Sequence, residues 1–575
     1  MTAQPKITET QFPPLPSGFK AKGNGIYRGV EKDGETQWMW LCSPLRVLSL
    51  PRDRSGTGWG RLVEVTDPDG KNHRWAIPAR MFAGDGSDLR AGLLDLGLNL
   101  APGLAARHAL TDLLQRWMPD ARALTADRLG WADEACAAFI CGDGRVIGAD
   151  DVVYQHENTP AAAAEMKPAG TLEGWREAVA APCAGNTLMV AAVSLAFAGP
   201  LLEPLGMDGG GLHLRGASSR GKSTVQRVAV SAWGSPRFLH SWRATSNGLE
   251  GVAAACNGSL LALDEIGEVS GREAGAAAYM LANGAGKARA NRSGAARAAL
   301  RWRVAVLSSG EITLADKMAE AGSRAAAGQA VRLLDVAADG RPHGAFDTLH
   351  GAPDGASFAD RLREATAQHY GTAGPAFVSA FLDDREAAVA SARAAINAFR
   401  EMAVQRFGLS GEGQTERATA RLGLVAAAGE LATRFGLTGW KPGTAVEAAL
   451  DVLGEWLDGR GGGGPAEARE AVARVREFLV AHGDARFEPV TGHEDDRPVI
   501  DRAGWRDDNF FYIATDRWRR IHAGADPKRA ARHLLDAGFL KDGEGKNLAT
   551  KAPRGVKGRP RVYAVGADIM GAGDE

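Results

Sequence analysis

The stretch "GLHLRGASSRGKSTVQRVA", Gly211 to Ala229, decides the fold. "GLHLRG" predicts a strand, "ASSRGKS" a loop and "TVQRVAVSAWG" a helix that ends at Gly234. Gly216, Gly221, Lys222 and Ser223 carry the spacing G-x-x-x-x-G-K-S of a phosphate-binding loop in that strand–loop–helix context. Glycines let successive backbone N–H groups curl toward phosphate oxygens, and the positive end of the following helix adds to the attraction. Gly216, Ala217, Ser218, Ser219, Arg220, Gly221, Lys222, Ser223 and Thr224 are therefore the expected ATP cradle. Lys222 is expected to reach the β- and γ-phosphates, and Ser223 to hold Mg²⁺. The chain contains 73 glycines, so the spacing alone says little and its context carries the reading.

Some forty residues on, "GSLLALDEIG" (Gly258–Gly267) is an apolar strand that ends in two acids. Asp264 is placed to bind the Mg²⁺, and Glu265 to polarise the attacking water. A third apolar strand, "RVAVLSSGE" (Arg303–Glu311), ends in Ser308 and Ser309. In an additional-strand ATPase a polar side chain there, Ser308 or Ser309, orients the water; Ser309 is the choice. In "AGQAVRLLDV", Arg332 leads into the next strand, where an arginine can project into a neighbour's site and stabilise transition-state charge. Arg324 competes for that role, and Arg417 or Arg421 offers a second sensor from later helices.

Outward from this block, the chain has 575 residues, enough for several domains. Hydrophobic residues make up 45% and charged residues 24%, an ordinary globular balance, and a net charge of −1 excludes a global field that draws nucleic acid. The five cysteines form no C-x-x-C pair, which argues against a structural zinc and a disulfide framework. The N-terminus lacks a signal pattern, and the longest apolar run, Met189–Leu202, is short for a bilayer and broken by Gly-Pro. The expectation is a cytoplasmic protein without membrane segments. Residues 1–170 are expected to form a β-rich N-terminal domain, 171–345 an α/β P-loop ATPase core, 346–458 a helical lid, and 466–575 a winged-helix-like C-terminal domain after the linker "GRGGGGP".

The set "GASSRGKST", "SWRATSNGLEGVAAACNGSLLALDE", "YMLANGAGKARANRSG" and "AGQAVRLLD" resembles the domain of unknown function numbered 927, over roughly Gly25 to Phe435. That family is found in phages and integrative mobile elements. The resemblance implies an AAA+ ATPase related to the minichromosome maintenance helicases, with hexameric rings that unwind DNA during replication of the element. Serine stands here where many of those helicases carry a sensor asparagine. The N-terminal region shows no zinc ligand set, so no primase activity is inferred.

Between the acidic strand and the sensor strand, Lys287, Arg289, Arg292 and Arg297 cluster among glycines. In the resembling helicases a hairpin at this place lines the pore and grips the DNA backbone; an outward basic loop is the alternative. From Arg517 to Arg561 there are thirteen lysines and arginines against four acids. Within that span "DPKRAARHLLDAGFL" predicts a helix whose Arg529 and Arg532 suit a DNA groove, followed by a wing. The leading expectation is a DNA helicase or translocase acting on single-stranded or forked DNA, with ATP and Mg²⁺. The alternatives are a remodeller of a protein partner and an ATP-gated DNA-binding switch. No aromatic residue occurs between Ala285 and Leu300, which favours nucleic acid over a protein substrate.

Overall fold

The structure is a computed structural model that describes residues 14–156, 162–287, 289–290, 296–297, 299–321, 331–409, 413–459, 466–490, 499, 501–523, 526–543 and 548–571. The chain divides into two units. One comprises residues 1–401 and 419–453, the other 402–418 and 454–575.

The first unit begins with an antiparallel sheet of Phe19–Lys22, Gly25–Lys32 and Glu35–Cys42, then a five-stranded sheet built mainly from Leu45–Arg52, Gly60–Thr66, Asn72–Pro78 and Arg122–Ala126. The helices Ser87–Asp95 and Leu104–Arg116 pack Leu89, Leu93, Leu110 and Leu113 against Val47, Val63 and Trp75. The stretch "GWADEACAAFICGDGRVIG" forms an antiparallel turn-back, with Trp131 paired to Phe139 and Ile140 to Val146.

The central sheet contains β1 (Gly210–Arg215), β2 (His240–Ser241), β3 (Leu260–Asp264), β4 (Ala305–Gly310) and β5 (Leu333–Ala337). All neighbours run parallel, in the order β2-β3-β4-β1-β5. Strand β4 is thus inserted between the strand that feeds the glycine loop and the strand that ends in the acids. Both faces of the sheet are covered, which is why β3 and β4 read as unbroken apolar runs: Leu260 to Leu263, Val306 and Leu307 are fully buried. The helix α1 (Lys222–Val230) follows the loop and lies beside Thr187–Ala198 on one face. Helices α2 (Ser246–Ala255) and α3 (Gly271–Asn283) pack on each other.

The apolar run Met189–Leu202 is part of a longer element than the sequence reading gave it. It belongs to a helical stretch, Thr187–Leu205, that is long and apolar enough to cross a membrane by length and composition. Within the fold 89% of its most apolar window is buried, so it serves as the core helix against β3 and β4.

After β5 the chain is helical: Gly355–Gln368, Ala373–Asp383, Arg385–Phe407, Gly413–Arg434 and Thr444–Gly459. In the second unit, a sheet of Phe487–Pro489, Gly504–Arg506, Phe510–Ala514, Arg561–Gly566 and Thr550–Lys551 packs with the helices Ala466–His482, Thr515–Ile521 and Pro527–Asp536. The linker residues 460–465 lie outside the described residues.

Candidate nucleotide site

The loop leaves β1 at its carboxyl end and enters α1 through two residues in the left-handed region, Ser219 (φ 61°) and Gly221 (φ 97°). Gly221 also faces Phe346: a Cβ there would stand 2.9 Å from the ring. At the other end of the loop, Ala217 donates its N–H to Asp339 at 3.0 Å, which with nearby cations holds that carboxyl below its usual range. Lys222 is buried and donates to the carbonyls of Gly216 (2.6 Å) and Ala217 (2.8 Å). Its amine therefore sits under the loop that it is expected to serve. Ala217, Ser218, Ser219 and Arg220 are exposed, while Ser223 and Thr224 are half-buried.

Across the cleft, β3 delivers Asp264 to the same place. Ser223 donates its hydroxyl to Asp264 Oδ2 at 3.3 Å, and Ser309 donates to Asp264 Oδ1 at 2.5 Å. The Ser309 oxygen also accepts the backbone N–H of Glu265 at 3.2 Å. One hydroxyl at the end of β4 thereby ties both acids. Glu265 adopts φ 58° and accepts from the Gly267 N–H, which turns the chain sharply after β3.

The neighbouring Ser308 points into the sheet. His213 Nε2 lies 2.9 Å from the Ile312 carbonyl, which can only accept, so Nε2 carries the proton. Nδ1 then accepts from Ser308 at 2.8 Å, and Ser308 accepts the Trp242 indole N–H at 2.9 Å. Burial pushes His213 down to about 4, so the ring is neutral and structural near pH 7. Of the two serines, the structure gives Ser308 to the core and turns Ser309 to the acids.

The loop and the two acids line a cleft of about 470 Å³ whose far wall is Pro342, His343, Gly344, Phe346, Gly355, Ala356 and Ala359. The sequence reading missed this wall. Its segment is pinned to the loop by the Ala345 N–H, which donates to the Arg220 carbonyl at 2.8 Å. The available signal was "GRPHGAFDTLHGAPDGASF", a Gly/Pro-rich connection directly after the last sheet strand.

The arginines lie elsewhere. Arg332 precedes β5, donates to Asn283 Oδ1 at 2.8 Å and stacks over Tyr279 at 4.4 Å. Arg421 donates to the Gly209 carbonyl at 2.9 Å, and desolvation pushes it down to about 10, with repulsion from Arg332 contributing. Both therefore sit at the amino edge of the sheet, about 16 Å along β1 from the glycine loop. Neither lines the cleft of its own chain. Arg417 is exposed one turn before Arg421, and Arg324 lies outside the described residues.

Among the proposed DNA contacts, Lys287 is exposed and its N–H donates to Glu250 at 3.4 Å. Arg289 pairs with Arg297, and Ala290 with Ala296, as an antiparallel backbone ladder, whereas Arg292 lies outside the described residues. Arg529 and Arg532 are exposed on Pro527–Asp536, whose Ala530, Ala531 and Leu534 are buried. Among the described residues no group of three His, Cys, Asp or Glu is arranged to hold a metal.

Comparison with curated proteins finds no match. Among solved structures, the chain resembles "SCCmec type IV Cch - active helicase" with a TM-score of 0.66 at 16% identity, over 97% of this chain and 99% of the other. At that identity the likeness shows a shared fold, here the fold of a helicase. Residues 19–301 match the model of a family described as "Domain of unknown function (DUF927)".

Proposed function

We propose that the chain is an ATP-driven DNA helicase or translocase of the AAA+ type, assembled as a ring of identical subunits, and that it serves replication of a phage or mobile element in the cytoplasm. The observation that carries the reading is the meeting of Lys222, Ser223, Asp264 and Glu265 in one cleft, with Ser309 bonded to the acids from behind, at the carboxyl edge of a sheet with an inserted strand. The likeness to a solved helicase, the resemblance in the quoted motifs and the exposed cations at 287, 529 and 532 add support.

The hydroxyl of Ser223 and the carboxylate of Asp264 are hard oxygen donors of the kind that suits Mg²⁺ together with phosphate oxygens and water. Bound there, the ion would neutralise charge on the β- and γ-phosphate oxygens. The protein's own residues do the rest. Lys222 exchanges its carbonyl acceptors for phosphate oxygens, and the loop N–H groups complete the cradle. Glu265 orients a water for in-line attack on the γ-phosphorus and accepts its proton. Ser309 holds Asp264 and Glu265 in register. Arg332, unable to reach its own loop, closes the neighbour's cleft, and Arg421 beside it is the companion cation. The basic segment whose residues 289–290 pair with 296–297, and the helix 527–536 in a winged arrangement, engage the DNA backbone without reading sequence.

The test is phosphate release by the full chain with and without single-stranded DNA, alongside unwinding of a forked duplex. DNA should stimulate hydrolysis, and Lys222→Ala should abolish both activities. Hydrolysis indifferent to DNA at low salt would remove the helicase reading. Particle imaging with a non-hydrolysable ATP analogue would count the subunits.

A further inference from the structure

The first antiparallel sheet presents two different faces. Ile26, Leu41 and Cys42 are buried, and Phe19 packs against the same core. In antiparallel pairing directly opposed residues share a face. Lys20 opposes Tyr27, Tyr27 opposes Trp40, and Gly29 opposes Trp38. One face therefore collects Lys20, Lys22, Tyr27, Trp38 and Trp40.

These side chains are already arranged as cation–aromatic pairs. The Lys20 amine lies 3.9 Å from the Trp38 ring centre, and the Lys22 amine 4.5 Å from that of Tyr27. Trp38 is 36% exposed, a large apolar ring left in solvent. Gly29 lies opposite Trp38 and adds no side chain to this face; a Cβ there would crowd Thr36 at 2.9 Å and only touch the indole, at 3.7 Å. Tyr27 and Trp40 are steadied from the edge by Asn24, through its side chain at 3.0 Å and its carbonyl at 3.3 Å. Desolvation, with repulsion from Lys22 added to it, lowers the Lys20 amine. An anion between them would relieve that repulsion. Further along, Glu31 accepts from Thr36 at 2.7 Å, so the positive character is confined to the end that bears the rings.

We infer that this face is a binding site for single-stranded nucleic acid, with bases stacked on Trp38 and on the Tyr27–Trp40 pair and phosphates held by Lys20 and Lys22. A surface rich in exposed rings alone would suit a protein partner. Paired cations interleaved with rings suit a strand that carries a phosphate for every base. The two ring positions are two residues apart along a strand, roughly 7 Å. Stacking on them needs bases whose faces are free, as they are in a single strand and are not inside a stacked duplex. The site stands apart from the nucleotide cleft and does not rest on its assignment.

The experiment uses the full chain, without nucleotide, and a thymidine oligonucleotide carrying 5-iodo-deoxyuridine as the photo-crosslinking probe. Adducts are mapped by mass spectrometry, and their yield within residues 19–42 is titrated, so that DNA held elsewhere on the chain does not mask the site. The expected adducts fall on Tyr27, Trp38 or Trp40. Lys20→Gln with Lys22→Gln should weaken the titration and reduce its salt slope by about 1.4, at ~0.7 per phosphate on a single strand. Trp38→Ala should weaken the adducts on Tyr27 by about 5- to 100-fold, and Trp38→Phe should restore most of the loss. Lys222→Ala should leave all of these values unchanged, which separates this site from the ATPase. If no adduct maps to 19–42 at low salt, or if the lysine and Trp38 changes leave the titration unmoved, the inference is overturned and a protein partner becomes the better occupant.

Discussion

Replacing Ser309 by alanine removes one hydroxyl that serves two acids. Its bond to Asp264, at 2.5 Å, joins a hydroxyl to a carboxylate, and such bonds contribute about 1.5–3 kcal/mol. The Glu265 N–H, at 3.2 Å, loses its acceptor at the same time. If that bond energy is expressed in the transition state, where the placement of both acids matters, kcat should fall by about 10- to 100-fold. The Kd for ATP should stay within about twofold, because Lys222 and the loop amides are untouched. Ser308→Ala is the matched control. It orphans the Trp242 indole and His213 inside a fully buried network, at about 1–3 kcal/mol for each stranded group. It should therefore lower the melting temperature by several degrees with little change in kcat. Phosphate release, fluorescent-nucleotide titration and thermal melting of both variants give the answer. A Ser308 variant that loses more turnover than the Ser309 variant would refute the assignment of the two serines, and so would a Ser309 variant whose Kd rises as far as its kcat falls.

Gly221→Ala combines a left-handed backbone with a Cβ 2.9 Å from Phe346, so nucleotide affinity measured by calorimetry should fall at least about tenfold; unaltered affinity would contradict the described loop. Burial pushes the Asp335 carboxyl up to about 7, so the folded chain retains a proton that the unfolded chain releases. The resulting stability is present in full below about pH 4 and is lost as pH rises through 7. Asp335→Asn, which mimics the protonated form, should match the parent below about pH 4 and exceed it at pH 8, by at most about 4 kcal/mol; a melting difference independent of pH would dismiss this account. Arg332→Ala and Lys222→Ala chains should each be inactive alone, yet mixing them should restore part of the hydrolysis, since some interfaces then pair an intact cleft with an intact arginine. Mixtures as inactive as their components would rule out action across an interface.

The glycine loop and the acid pair were legible because their chemistry is local. A short run of residues sets each conformation, and the apolar strand before it needs no partner to be recognised. The choice between Ser308 and Ser309 was not, since adjacent residues on a strand point to opposite faces and the deciding groups, His213 and Trp242, come from other strands or connections. The far wall of the cleft was hidden for a similar reason. Residues 342–346 and 355–359 match no motif and reach the cleft only by being folded back over the loop. Where 189–202 is buried could not be read from its letters, because a core helix has the same composition as a spanning one and this helix extends past the most apolar run. The aromatic strands "GIYRGV" and "TQWMWLC" were readable as strands, but their cationic partners became visible only in register.

Glu265 holds a φ of 58°, a backbone shape that most side chains resist by about 1–2 kcal/mol and that glycine adopts freely. On the proposed function, that position sets durability against turnover. A chain with glycine at 265 would shed the strain along with the bond from the Gly267 N–H, keep the loop that is proposed to hold the triphosphate, and lack the carboxylate proposed to orient the water. If the proposed ring forms, such a subunit mixed among working ones would poison the shared assembly.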